Sequence, residues 1–170
     1  MESGKIAIDG LDQIDFKQIY MNIRKGRYRY LGMGSGRIVF DLGNGYVVKV
    51  ARSRRGIGQN RAEYKIASSD DSGLFAGIPA VSKRSGYLIM NKAEGIRDIS
   101  YVWDYFHVKN NQELFQVPTI QEISQKYGLL LWDLGRAVNW GQINGKPVII
   151  DYGFTKAVRR NYYLPPIFRK

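Results

Sequence analysis

The sequence predicts a two-lobed α+β protein, a β-rich first half joined through a short hinge to a reduced helical second half. Three observations predict it. Apolar runs at 37–42 and 46–51 flank Gly43-Asn44-Gly45, and Asn-Gly between such runs is a strong hairpin signal. Beyond Gly95 the apolar spacing changes from alternation to helical period. Two carboxylates, Asp133 and Asp151, each follow an apolar run, so that a buried segment can hold an acid rigidly at the edge of a cleft.

The elements follow in order. Apolar residues at 11, 14, 16, 19, 20 and 23 predict an amphipathic helix over 11–24, ended by Gly26. A strand over 27–31 enters the glycine cluster 32–36, and the hairpin strands 37–42 and 46–51 follow. A helix is expected over 59–68 and two short strands at 78–82 and 87–90, which complete a first lobe over 1–90. Residues 91–95 read as the hinge, and 96–155 as the second lobe. That lobe carries helices at 99–106 and 119–127, the second with Pro118 before it and Thr119 and Glu122 at capping-box spacing. Gly128 ends it, and a small hairpin is expected over 139–150 through Asn144-Gly145. Over 156–170 the paired Pro165-Pro166 predict an extended basic arm.

Composition removes several chemistries. The chain has no cysteine and one histidine, His107, which excludes disulfides, thiol catalysis, thiolate metal sites and imidazole clusters. Any metal must be held by oxygen, which favours Mg2+ or Mn2+. With 44% hydrophobic and 24% charged residues, the sequence is that of an ordinary globular protein. No apolar run approaches a membrane span, and residues 1–15 are too acidic for a signal peptide, so a cytoplasmic location is expected. The net charge of +11 is concentrated: 12 Lys and Arg stand against Asp41 and Glu63 over 17–65. This surface reads either as a solvated face or as a contact for nucleic acid or an acidic protein, through Arg24–Arg29, Arg52–Arg55 and the tail.

Taken together, these parts resemble the protein-kinase-like fold over about residues 28–155. Gly32, Gly34, Ser35 and Gly36, with Val39, resemble its glycine-rich phosphate loop, and Val47-Val48-Lys49-Val50 its third-strand lysine motif. Glu63 stands where that lysine's partner is expected. Tyr87-Leu88-Ile89-Met90 followed by Asn91 resembles the strand and hinge that receive an adenine. Asp133 resembles the catalytic-loop aspartate, Asn139 the metal-binding asparagine, and Asp151-Tyr152-Gly153 the Asp-Phe-Gly motif. The resemblance implies an ATP- and Mg2+-binding protein with Lys49 and Asp133 in catalysis, Asn139 and Asp151 on the metal, and Met90 and Asn91 beside the base. A similar compact motif set is found in kinase-like proteins of tailed bacteriophages, which by analogy would place the chain in a host cytoplasm or a virion.

Each motif also has a plainer reading. The glycine cluster reads as a turn, Lys49 as a strand residue on a solvated face, and Glu63 as a helix-surface charge beside Arg61 or Lys65. Asp133 could cap a helix starting at Leu134, and Asp151 could form an Asx turn. The sequence also departs from the family pattern. Arg37 stands where a third glycine belongs, Leu131-Trp132 replaces His-Arg, and Asn139 lies six rather than five residues after Asp133. Arg136, three residues after Asp133, reads either as an electrostatic stabiliser of a transferred phosphoryl group or as a simply exposed side chain. Only 17 residues follow Gly153, little surface on which to select a phosphoacceptor. Two functions therefore stay open: a minimal phosphotransferase, and a kinase-like binding module with weak or no catalysis.

Overall fold

The computed structural model describes residues 14–165. Helix α1 (Phe16–Arg24) is capped by Asp15, whose carboxylate accepts from the Lys17 and Gln18 amides, and it ends where Gly26 turns left-handed. The expected start at residue 11 lies outside the described residues. Strands β1 (Arg29–Met33), β2 (Arg37–Asp41), β3 (Tyr46–Ala51), β4 (Ala80–Val81) and β5 (Tyr87–Asn91) form one antiparallel sheet in the order β1-β2-β3-β5-β4. Helix α2 (Arg54–Ala67) crosses between β3 and β4.

Alternation along the central strands sorts their side chains between two apolar clusters. Val48 and Ile89 pack with Ala80 against Ile19 of α1. Val47, Leu88 and Met90 point the other way, into the larger core. That core continues through helices α3 (Ser100–Phe106) and α5 (Pro118–Tyr127) to Trp140, Ile149 and Tyr152. The two halves thus share one core. They are also stitched by backbone, since Ile149 donates to the Leu74 carbonyl at 2.7 Å and accepts from Ala76 at 3.0 Å.

In the second half, β7 (Trp140–Ile143) and β8 (Lys146–Ile149) form the expected hairpin. Asn144 and Gly145 both have positive φ, as a two-residue turn of this kind requires. The last two residues of the expected hinge form the short β6 (Glu94–Gly95), which joins the edge of β7. Among the described residues no helix is long and apolar enough to cross a membrane.

Four expectations are corrected. Helix α2 begins at Arg54 rather than Gln59, because its two glycines serve packing. A Cβ on Gly56 would strike the Gly36 carbonyl oxygen and lie 2.9 Å from the Ala51 Cα, and one on Gly58 would lie 2.6 Å from the Tyr162 ring. Close approach to backbone and to an aromatic face outweighs low helix propensity here. The capping box at Thr119 and Glu122 does not form, because Pro118 takes the first helical position and moves the cap back to Val117. A helix the pattern did not predict, α4 (Asn111–Leu114), is capped by Asn110, which accepts from the Glu113 amide at 2.9 Å. The fourth correction is the tail. Over its described part, Thr155 caps a short helix α7 (Lys156–Val158), which runs into a π-helical turn over Arg159–Tyr163 and folds back on α2; residues 166–170 of the expected arm lie outside the described residues.

Gly56→Ala is expected to cost about 1–3 kcal/mol, the usual penalty for overpacking, because the atoms it meets are backbone. A lowered urea midpoint with unchanged slope would show it.

Candidate nucleotide cleft

Period-two alternation in β2 and β3 decides which side chains reach the cleft. Arg37 and Val39 on β2, and Val47 and Lys49 on β3, share one face and line a cavity of about 580 Å³. Its apolar lining is completed by Leu31, Met90, Val138 and Ile150, its glycine turn by Gly32, Gly34 and Ser35, and its polar end by Asp151. Both halves of the chain contribute. A slot of apolar side chains ending in fixed charges suits a ligand with a flat ring at one end and anions at the other.

The polar end is a buried charge cluster. Glu63, fully buried, accepts from Lys49 Nζ at 2.8 and 2.9 Å and from the two Arg37 terminal nitrogens at 2.6 and 3.0 Å. Its Oε1 also accepts from the Tyr152 and Gly153 amides at 3.1 Å. The plainer reading of Glu63 as a surface charge is therefore excluded, and so is a solvated Lys49, which is 5% exposed. Lys49 Nζ also donates to the Ile150 carbonyl at 2.6 Å. Arg37 reaches on to Asp151 Oδ1 at 2.8 Å and Asn60 Oδ1 at 3.2 Å. Asn60 in turn is fixed by donating to the Ser85 carbonyl at 2.8 Å.

Electrostatics follow from burial. Desolvation pushes the Glu63 carboxyl up, but Arg37 and Lys49 outweigh it and hold Glu63 at about 2. Burial pulls the Lys49 ammonium below its ordinary value, with Glu63 opposing.

A second cavity of about 300 Å³ shares Ser35, Gln59 and Asp151 with the first and adds Trp132, Asp133, Arg136, Asn139, Phe154 and Tyr163. Asp133 sits in helix α6 (Leu131–Leu134), with Arg136 at 3.7 Å. Partial burial raises its carboxyl, and Asp151 adds to the rise while Arg136 opposes it. Asn139 closes the loop: its Nδ2 donates to the Asp133 carbonyl at 2.8 Å, and its own carbonyl accepts from Ile150 at 2.8 Å. A 3-10 turn over Ala137–Asn139 accommodates the long spacing between Asp133 and Asn139.

The sequence-derived residues therefore converge. Lys49, Glu63, Asp151, Asn139 and Asp133 line or support two adjoining cavities, and Gly32, Gly34, Ser35, Met90 and Asn91 line the larger. Gly36 does not line it: its Cβ position lies 2.6 Å from the Gly56 nitrogen, so its role here is close packing against α2. Sequence reasoning missed the ionic role of Arg37, the anchor Asn60, and Tyr163, whose hydroxyl bonds Ser35 at 2.6 Å and accepts from Gln59 at 3.2 Å. Alternation with Val39 was the available signal for Arg37. Asn60 and Tyr163 had none, because they depend on packing between distant segments.

The divalent cation implied by the resemblance can be tested on these atoms. Asp151 Oδ1 is held by Arg37, and the Asn139 amide is turned to the Asp133 carbonyl. Among the described residues no group of three or more His, Cys, Asp or Glu is placed to hold a metal. Arg37 takes one of the two Asp151 oxygens and the Asp133 carbonyl takes the Asn139 Nδ2, which leaves Asp151 Oδ2 and Asn139 Oδ1 as the oxygens that would hold such an ion.

Three residues of the basic surface have partners within the fold. Arg29 pairs with Asp41, Arg24 lies over the Tyr20 ring, and Arg55 lies over the Tyr163 ring while donating to the Tyr162 carbonyl.

No protein-family model matches the chain, and no curated protein matches it in sequence. Solved structures do. The kinase domain of PknI from Mycobacterium tuberculosis matches at 16% identity over 76% of this chain, with a TM-score of 0.42, and this chain spans 61% of that domain's length. APH(2")-IIa matches in its streptomycin and ATP ternary complex at 16% identity, covering 84% of this chain and 71% of that one, TM-score 0.47. Its gentamicin complex matches at 15% identity, covering 88% and 75%, TM-score 0.43. The chain's own architecture carries the assignment: a five-stranded antiparallel sheet with a crossing helix, a buried lysine–glutamate pair between them, a hinge, and a helical half ending in a hairpin that presents an aspartate to the cleft. The fold is protein-kinase-like.

Proposed function

We propose that this protein binds a nucleoside triphosphate, most simply ATP, in the larger cavity, and that phosphoryl transfer to a hydroxyl is the reaction its adjoining cavity suits. The single observation that carries the reading is the pair of buried cations, Lys49 and Arg37, fixed by Glu63 at the end of an apolar slot. Val39, Val47 and Met90 supply apolar contact for a base, while Lys49, Arg37 and the glycine turn face the phosphates. Asp133 would accept the proton of an incoming hydroxyl. The hydroxyl oxygen of the acceptor forms a bond to the terminal phosphorus as the bridging P–O bond breaks, and a nucleoside diphosphate leaves. Trp132, 57% exposed on the rim of the second cavity, is available to an acceptor.

A binding role without transfer is favoured by one observation, the engagement of Asp151 by Arg37. In that reading the basic surface would contact nucleic acid or an acidic protein, with affinity falling steeply as salt rises.

Thermal unfolding tests the common element. ATP at about 100 times its dissociation constant should stabilise the fold by about 2.7 kcal/mol, raising Tm by roughly 5–10 °C. No shift at millimolar ATP would remove the nucleotide reading.

A further inference from the structure

We propose that Tyr163 is a phosphoacceptor carried by this chain itself: the tail holds its phenolic hydroxyl between the two cavities, where the cleft would phosphorylate it in cis. The inference rests on the phosphotransfer reading above and names a hydroxyl that the reaction would use.

The position of that hydroxyl carries the proposal. Tyr163 lines the second cavity together with Asp133 and Asp151. Its hydroxyl bonds the Ser35 hydroxyl at 2.6 Å and accepts from Gln59 Nε2 at 3.2 Å, and both of these partners line both cavities. The phenolic oxygen therefore stands at the passage from the nucleotide cavity to the one that holds the base, against the glycine turn assigned to the phosphates. That is where an acceptor for in-line transfer has to stand.

The rest of the tail keeps it there. Arg55 lies over the Tyr163 ring at 4.7 Å and donates through Nε to the Tyr162 carbonyl at 3.3 Å. Phe154 meets the Tyr163 ring edge-on, with 4.8 Å between centroids. The neighbouring Tyr162 ring rests on Gly58, where a Cβ would lie 2.6 Å from it. The side chain is delivered by the π-helical turn over Arg159–Tyr163, a rare conformation that is frequent at functional sites. A phenylalanine would satisfy every one of the ring contacts, and the hydroxyl adds only bonds to residues of the site.

Transfer balances with ATP as the one co-reactant. The Tyr163 oxygen forms a bond to the terminal phosphorus as the bridging P–O bond breaks, ADP leaves with that electron pair, and Asp133 takes the phenolic proton. The phosphate so formed would emerge beside a further cavity of about 620 Å³, lined by Ser35, Arg54 and Arg55, whose guanidinium groups suit it.

Phosphatase-treated full chain, incubated with ATP and Mg2+ and followed by intact mass with fragment mapping, tests this. One phosphate on Tyr163 is expected, gained at a first-order rate that is unchanged over about a tenfold dilution of the protein, as an intramolecular step requires. Phosphate on another residue instead, or a rate that falls with dilution, would overturn the proposal. If no phosphate appears, the thermal shift with ATP separates the failures: a retained shift overturns this proposal alone, and no shift overturns the nucleotide reading with it. Tyr163→Phe, checked for folding by circular dichroism, should take up no phosphate, and full incorporation there would overturn the assignment. Asp133→Asn should slow labelling by about 10² or more, the scale of a lost general base, and equal labelling would overturn the cleft as its source. If either variant fails to fold, the site mapped in the native chain and its dilution dependence decide.

Discussion

Replacing Glu63 by alanine is expected to cost about 3–5 kcal/mol of folding stability, the scale for stranding buried charges by removing their partner. The carboxylate is fully buried, joins Lys49 and Arg37, and receives the two amides that follow Asp151. Its loss would leave Lys49 with one carbonyl partner and Arg37 dependent on Asp151 and Asn60. A denaturant titration reads the effect directly, and a loss under about 1 kcal/mol would mean that the cluster is not the buried, paired unit described above.

The same carboxylate sets an acid limit. Its folded pKa of about 2 lies below the ordinary 4.5, so the stability it confers is fully present above pH 4.5 and is lost as pH falls from there toward 2. Urea midpoints should therefore drop over that window in the native protein, and the drop should be shallower in Glu63→Ala.

The second large effect concerns chemistry. Asp133→Asn is expected to lower ATP turnover by about 10² or more, the scale of a lost general base, while ATP affinity stays within a few-fold. The affinity should hold because Asp133 lines the second cavity rather than the one assigned to the nucleotide. Raised by partial burial and by Asp151, its carboxyl is a better proton acceptor than an exposed aspartate. Equal turnover in the variant would remove Asp133 from the mechanism and favour the binding role.

The fold was legible where local chemistry and tertiary need agree. The hairpin turn at Gly43-Asn44-Gly45, the Asn144-Gly145 turn and the helix stop at Gly128 are dictated by positive φ, which the sequence announces through Asn and Gly. It was illegible where contact between distant segments overrides propensity. Gly56 and Gly58 argue against a helix locally, and only the approach of Gly36 and Tyr162 explains them. Pro165-Pro166 suggested an arm over 156–170, yet Tyr163 reaches Ser35 and Gln59 and draws the segment before the prolines back. Within the site, Lys49, Glu63, Asp133 and Asp151 were legible from order and spacing. Arg37 looked like a departure from the glycine pattern, and only the structure joins it to Glu63 and Asp151.

A crystal structure with a non-hydrolysable ATP analogue tests the central claim most directly. Phosphate oxygens are expected about 3 Å from Lys49 Nζ and the Arg37 guanidinium, with the base against Val39, Val47 and Met90. An analogue bound outside this cleft, or a cleft left empty at saturating concentration, would contradict it.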